Sequence, residues 1–240
     1  MSKRYQSPTS INTYLRCPRK YYLRYIKGLK SKPSIHLVRG KAVHDAISQF
    51  TQMDFDRFSD PKRLKNTLLN LFKTNWQEQK SEIQKLGIDE KTLKQFYHES
   101  QSMLLGWLKR YAKDGYKKPK TEVKLFSKTH GAMGIIDAVI SNKGIILLDY
   151  KTSSKNDITH DIKVQLSLYA LLYTVNYRKM PDVVAVDFLK HQEIRRFQVN
   201  KGLIQFAAQI LRNIHKSTTS TDEKDYPCKC GGWCENEFIF

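Results

Sequence analysis

Apolar residues in the first 53 positions recur at helical spacing. Ser7-Pro8 reads as a helix start, an N-cap serine with proline at the first helical position. Ile11, Tyr14, Leu15, Tyr21, Tyr22 and Tyr25 continue that helix, bent or interrupted at Cys17-Pro18 and closed by Gly28. Val38, Ala42, Val43, Ala46, Ile47 and Phe50 predict a second helix from about His36 to Gln52. Residues 61–112 predict two long polar helices separated at Gly87. One carries Leu64, Leu68, Leu71 and Phe72, the other Leu93, Phe96, Met103, Leu104, Trp107 and Leu108.

From Pro119 the period becomes that of strands. Segments 120–127, 134–141 and 145–151 are short and β-rich. A helix over about 160–177, strands near 182–189 and 193–199, and a helix at 202–215 follow. The order predicts an α/β fold with a mixed central sheet flanked by helices, not a regular βαβ array. One domain is expected, with N-terminal helices at 1–53, a helical insert at 54–118, a sheet core at 119–216, and a linker with cysteines at 217–240.

Composition narrows the class. The 240 residues are 40% hydrophobic and 11% aromatic, enough for a core. No run approaches the ~18 apolar residues of a membrane span, and residues 1–7 lack the apolar stretch of a secretory signal. A cytoplasmic location without membrane attachment is the expectation. Lys and Arg number 42 against 23 Asp and Glu, a formal charge of +19. Such a surplus attracts a polyanion, most commonly nucleic acid, whose phosphates release counterions on neutralisation.

The densest chemistry lies in Gly134 to Thr152. Asn142-Lys143-Gly144 reads as a three-residue hairpin loop with glycine at the positive-φ position. That register pairs Ser141 with Ile145 and sets Asp137 opposite Asp149, with Cβ atoms ~5 Å apart. Alternation puts Asp149 and Lys151 on one face and Tyr150 on the other. Ile135, Val139, Ile145 and Leu147 are expected on one face; Ile136, Ala138, Ile140, Ile146 and Leu148 on the other. Such a strand is buried on both sides. Two carboxylates facing each other in a core cannot both ionise without a positive neighbour. A divalent cation with oxygen ligands resolves the conflict, with Lys151 beside it. Gln165 and Tyr169 share a helix face, and His44 lies one turn after Gly40. The competing reading of the acids is an Asp–Lys ion pair at a strand end.

Cys17 stands alone; Cys228, Cys230 and Cys234 crowd the tail. In a reducing compartment four such thiols read as metal ligands.

These motifs, in this order, resemble the PD-(D/E)XK nuclease superfamily, in particular its RecB-like branch with an iron–sulfur cluster, home of the AddB nucleases and the CRISPR-associated Cas-four exonucleases. Cys17-Pro18-Arg19-Lys20-Tyr21-Tyr22 with Tyr25 resembles the opening helix motif. Gly40 to His44 resembles G-x-x-x-H, Gly134 to Asp137 resembles G-x-x-D, and Asp149-Tyr150-Lys151 resembles (D/E)-x-K. Gln165 to Tyr169 resembles Q-x-x-x-Y, and the tail cysteines resemble the cluster-binding tail with Cys17 as fourth ligand. Ile136 stands where the superfamily's eponymous proline would be. The tail reads C-x-C-x-x-x-C, tighter than the family's spacing.

The resemblance implies a restriction-endonuclease-like fold and a metal-dependent deoxyribonuclease, an exonuclease on single-stranded DNA or DNA ends, in CRISPR adaptation or DNA repair. It implies Mg²⁺ or Mn²⁺ held by His44, Asp137, Asp149 and the Tyr150 carbonyl. Lys151 would serve catalysis, Gln165 and Tyr169 orientation, and Glu122 a supporting role. Cys17, Cys228, Cys230 and Cys234 would hold an iron–sulfur cluster of the 4Fe–4S kind, with zinc as the alternative. CRISPR adaptation integrases are possible partners. Arg16, Arg19, Lys20 and Arg24, with Tyr21 and Tyr22, are candidates for contacting the nucleic acid. The other class open to this sequence is a non-catalytic nucleic-acid-binding subunit with a structural metal site.

Overall fold

The computed structural model describes residues 4–55, 59–114, 118–141 and 143–239. The chain opens with α1 (Pro8–Arg16), started by a reciprocal cap: Ser10 N donates to Ser7 Oγ at 3.2 Å and Ser7 N to Ser10 Oγ at 2.8 Å. Cys17 ends it, because the residue before a proline is pushed to extended backbone (φ −157°, ψ 110°). Pro18 then starts α2 (Pro18–Tyr21), which runs into a π-helical turn at Tyr22–Ile26 before Gly28 at φ 75°. The bend anticipated at Cys17-Pro18 is therefore a break between two helices.

After a two-residue strand β1 (Lys30–Ser31), four helices follow: α3 (Ile35–Gln52), α4 (Pro61–Glu78), the short α5 (Lys80–Gln84) and α6 (Glu90–Lys113). Asp60 caps α4 by accepting from Lys62 N and Arg63 N, and Asp89 caps α6 by accepting from Thr92 N. Gly87 separates α5 from α6 at φ 61°. The remaining elements are β2 (Lys120–Ser127), β3 (Ala132–Ser141), β4 (Ile145–Lys151), α7 (His160–Tyr177), β5 (Val183–Phe188), β6 (Glu193–Gln198), α8 (Lys201–Ser217) and β7 (Phe238–Ile239), which pairs with β1.

The main sheet has order β2-β3-β4-β5-β6. It is antiparallel except between β4 and β5, which run parallel and are joined through α7. One face packs Val139, Leu147, Val184 and Val186 against α1, α7 and α8. The other packs Ala138, Leu148, Tyr150 and Ala185 against α3, α4 and α6. A third cluster of Tyr21, Tyr22, Leu23, Tyr226 and Phe238 joins the first helices to the tail. No helix among the described residues is long and apolar enough to cross a membrane.

The β3–β4 register is the anticipated one, running from Ser141 with Ile145 to Ala138 with Leu148. Asn142, in the expected hairpin loop, lies outside the described residues. Gly144 has φ 155°, and a Cβ there would come within 3.1 Å of Asp182 Oδ2, which accepts from Ile145 N. Only glycine suits that position.

One expected face assignment is overturned. Ile136 packs with Val139 and Leu147, and Ile135 is exposed. Alternation turns over at the level of Glu122 and Asp137, a pair missing from an otherwise continuous β2–β3 ladder. Glu122 there has φ 51°, a left-handed backbone inside a strand. Val123 and Ile136 face α7. On the far side of the break Thr121 faces α3, its Oγ1 accepting from Ser48 Oγ at 2.9 Å, and its partner Ala138 joins that core.

The insert is fastened to the sheet by apolar burial and by Arg110, which donates to both Asp187 oxygens at 2.7 Å. Phe72, fully buried between Trp76 and Tyr97, anchors α4 to α6. Phe72→Ala should cost about 3–5 kcal/mol of stability, read as a lowered denaturant midpoint at unchanged slope.

Candidate active site

Asp149 lies on the central strand β4 and is 2% exposed. Its Oδ1 accepts from Gln165 Nε2 at 2.7 Å, and its Oδ2 lies 2.7 Å from Lys151 Nζ. Lys151 Nζ also donates to Gln165 Oε1 at 2.7 Å, and Gln165 Nε2 donates to Tyr169 Oη at 2.9 Å. A primary amide is the side chain that can accept from the ammonium and donate to the carboxylate together. Four-residue spacing on α7 sets Gln165 and Tyr169 on the same face, over the strand.

The second acid arrives from β3 and the histidine from α3. Asp137 Oδ2 accepts from Tyr150 N at 2.8 Å and lies 3.4 Å from His44 Nδ1. The β3–β4 ladder stops one residue short of an Asp137–Asp149 pair, and here the Asp137 side chain takes the Tyr150 N–H. The His44 ring stands edge-on to Tyr150, centroids 5.9 Å apart.

The charges oppose one another as a buried cluster requires. Burial raises the Asp149 carboxyl above its ordinary range and Asp137 adds to this, with Lys151 pulling the other way. Burial pushes Asp137 the same way. There the His44 charge and contact, the Tyr150 N–H and Lys151 outweigh it and hold the carboxyl below its usual range. Burial lowers His44, but Asp137 and then Asp149 more than reverse this. Tyr169 is raised by burial and by both acids, so it stays a phenol that can donate. Glu122 is exposed, and partial desolvation and then the neighbouring Asp137 raise its carboxyl above the ordinary range.

This donor set fits a hard divalent cation. Asp149 Oδ2 is buried and makes no well-directed hydrogen bond despite its ion pair with Lys151. Carboxylate oxygens suit Mg²⁺ and Mn²⁺, and one imidazole shifts preference toward the transition metal.

The cysteines converge at the other end of α1. All four Sγ atoms lie within 4.8 Å of one another. Cys228 and Cys230 are 3.5 Å apart, Cys228 and Cys234 3.7 Å, and Cys17 and Cys230 3.6 Å. Backbone N–H groups point at the sulfurs: Lys229 at Cys17, Gly232 at Cys228 and Cys234 at Cys230, at 3.2–3.4 Å. The Cys228 thiol, drawn down by the N–H groups of Cys230 and Gly232, sits at about 6. These sulfurs form a thiolate site able to hold metal.

The nucleic-acid candidates divide. Arg16 pairs with Asp161, Arg19 with Glu223 and Lys20 with Glu237, so three of the four cations fasten helices together. Arg24 is exposed over Tyr25. Tyr21 is fully buried, stacked with Tyr226, and Tyr22 is nearly so. Of the two readings open to these tyrosines, core or base platform, burial favours the core.

The sequence reading missed Arg39. It is 3% exposed, donates to Thr152 O at 2.7 Å, and pairs with Glu99 of the insert. It holds the start of the loop that leaves Lys151. A charged residue between the core positions Val38 and Ala42 was the available signal.

A mixed sheet clad in helices, with two acids, a lysine and a glutamine meeting at its centre, is the restriction-endonuclease-like architecture. A profile of the PD-(D/E)XK nuclease superfamily matches residues 5–236, and the chain belongs to that superfamily. Among solved structures, the "Putative exonuclease" from Eubacterium rectale matches over 99% of this chain and 90% of its own, at TM-score 0.58 and 16% identity, a likeness of fold. SSO0001 matches over 92% of this chain and 81% of its own at 13% identity, with a TM-score of only 0.39. No curated protein matches the chain in sequence.

Gln165→Leu keeps the volume and removes the amide that positions Lys151. Single-turnover cleavage should fall about 10–100-fold at temperatures where circular dichroism shows the variant folded; an unchanged rate would deny the glutamine its role.

Proposed function

We propose that this chain is a divalent-metal-dependent deoxyribonuclease acting on single strands or DNA ends, with Mn²⁺ or Mg²⁺ held by Asp137, Asp149, His44 and the Tyr150 carbonyl. The observation that carries this is the buried Asp149–Gln165–Lys151 bridge, with Asp137 and His44 meeting it from two other elements. A protein that only binds DNA has no need to bury two like charges there.

The bound cation would polarise the scissile phosphate and lower the pKa of a water. Lys151, steered by Gln165 and Asp149, points its ammonium to where charge grows on the phosphate oxygens and to where the water must be oriented. Tyr169 fixes the far side of the Gln165 amide, which keeps the glutamine from rotating. Asp137 locks Tyr150 N–H, so the strand end that carries the carbonyl and Lys151 is held rigid. The surplus of positive charge supplies sequence-independent affinity for the backbone. The motifs' likeness to the RecB-like branch supports a role in processing DNA ends, in repair or in CRISPR adaptation beside its integrases.

For the cysteine site the sulfur spacing supports a single ion. A tetrahedron of ~2.3 Å zinc–sulfur bonds has edges of ~3.8 Å, close to the observed contacts of 3.5–3.7 Å. The iron–sulfur cube that the resemblance implies carries its thiolates on the outer corners of a larger body. We assign the site to zinc.

With Mn²⁺, the protein should shorten end-labelled single-stranded DNA, and Lys151→Ala should stop this while retaining binding. Equal degradation by the variant would refute the reading. Elemental analysis should find one zinc per chain in colourless protein; visible absorbance with iron and sulfide would restore the cluster.

A further inference from the structure

Trp233 is 73% exposed, the highest fraction among the large hydrophobic residues described, while Trp76 and Trp107 are buried at 7% and 4%. An isolated exposed apolar residue is ordinary on a protein surface, so exposure alone assigns nothing. Three further observations do.

First, the indole is held on a built turn. Gly231 and Gly232 both take left-handed backbone, φ 63° and 87°. Gly232 N points at Cys228 Sγ at 3.3 Å, Cys234 N at Cys230 Sγ at 3.2 Å, and Trp233 N donates to Cys230 O at 3.3 Å. The thiolates fix the segment that carries the ring. Second, Trp233 makes no ring contact with another described residue, whereas the tyrosines of this subdomain stack on one another. Third, the surroundings carry unspent positive charge. Glu223 and Glu237 are engaged with Arg19, Lys27 and Lys20. Exposed Arg24, Lys30, Lys32, Lys224 and Lys229 have no carboxylate partner among the described residues, against the remaining exposed acids Asp222, Asp225 and Glu235.

The subdomain is also linked to the helix that carries Gln165. Cys17 follows Arg16, which pairs with Asp161 in the first turn of α7, and Asp161 is one helical turn, ~6 Å along the axis, from Gln165. We propose that Trp233 is a base-stacking platform for a single strand of DNA, a binding subsite outside the carboxylate centre that takes a nucleobase as the strand leads toward Lys151. Stacking suits a nuclease without sequence preference, because every base has a π-face. The proposal rests on the nuclease reading, and the test separates the two.

The full-length, metal-replete protein carrying Lys151→Ala is titrated with a short single-stranded oligothymidine, read by intrinsic tryptophan fluorescence and by anisotropy of a labelled strand. The two other tryptophans being buried, saturable quenching should come from Trp233 and vanish in W233F. W233A should bind about 10-fold more weakly, with an unchanged salt slope because no phosphate contact is lost. With an abasic oligonucleotide the two proteins should bind alike. No quenching on a strand that binds, or equal affinity of W233A for the normal strand, would overturn the platform alone. Quenching needs no variant, so it decides the matter even if W233A loses its metal. Failure of the parent to bind a single strand would overturn the platform, and failure to bind duplex ends as well would overturn the nuclease reading with it.

Discussion

A carboxylate in the middle of a five-stranded sheet is the constraint around which this molecule is arranged. Asp149 is flanked by hydrogen-bonded strands on both sides, so solvent cannot reach it along the sheet. An uncompensated buried charge costs several kcal/mol. Two neighbours reduce that cost: the ammonium of Lys151 by opposite charge and the Gln165 amide by donation. Asp137 cannot help by itself, since it brings a second negative charge. It is tolerated because Tyr150 N–H and His44 bind it first.

That arrangement requires a break in regular structure. An uninterrupted β2–β3 ribbon would continue its alternation through Asp137 and keep Ile136 and Ala138 on one face. Instead both strands turn over at Glu122 and Asp137. A non-glycine residue held at φ 51° costs of order 1–3 kcal/mol. The cost falls at the level of Asp137, whose side chain takes a backbone donor from the next strand. The apolar contacts of Ile136 with α7 and of Ala138 with α3 hold the irregularity in place from opposite faces.

Much of this was legible in the residues. The hairpin register followed from one glycine and the apolar runs beside it, and the first helix start followed from Ser7-Pro8. Gln165 and Tyr169 could be placed together by helical spacing. The reversal of Ile135 and Ile136 was hidden, because both are isoleucine and a period-two pattern carries no mark where its phase slips. Glu122 is an ordinary strand polar residue until its backbone angle is known. Tyr21 and Tyr22 were ambiguous for a related reason: an aromatic stripe beside arginines is the same string of letters whether it packs on Tyr226 or waits for a base. Which of these holds depends on a tail more than 200 positions away, and local pattern contains no such information.

The tail bears on the centre in a second way. Residues 17 and 228 close nearly the whole chain into one loop, and ordering so long a loop has an entropic cost that a metal clip can offset. The clip fixes Cys17 at the end of α1, and α1 touches α7 through Arg16 with Asp161 and through Asn12 Nδ2 donating to Asp161 O at 3.0 Å. α7 carries Gln165, and Gln165 aims Lys151. The four-cysteine site is thus joined to the Lys151 ammonium by one helix, one ion pair and one amide, with a single helical turn between Asp161 and Gln165.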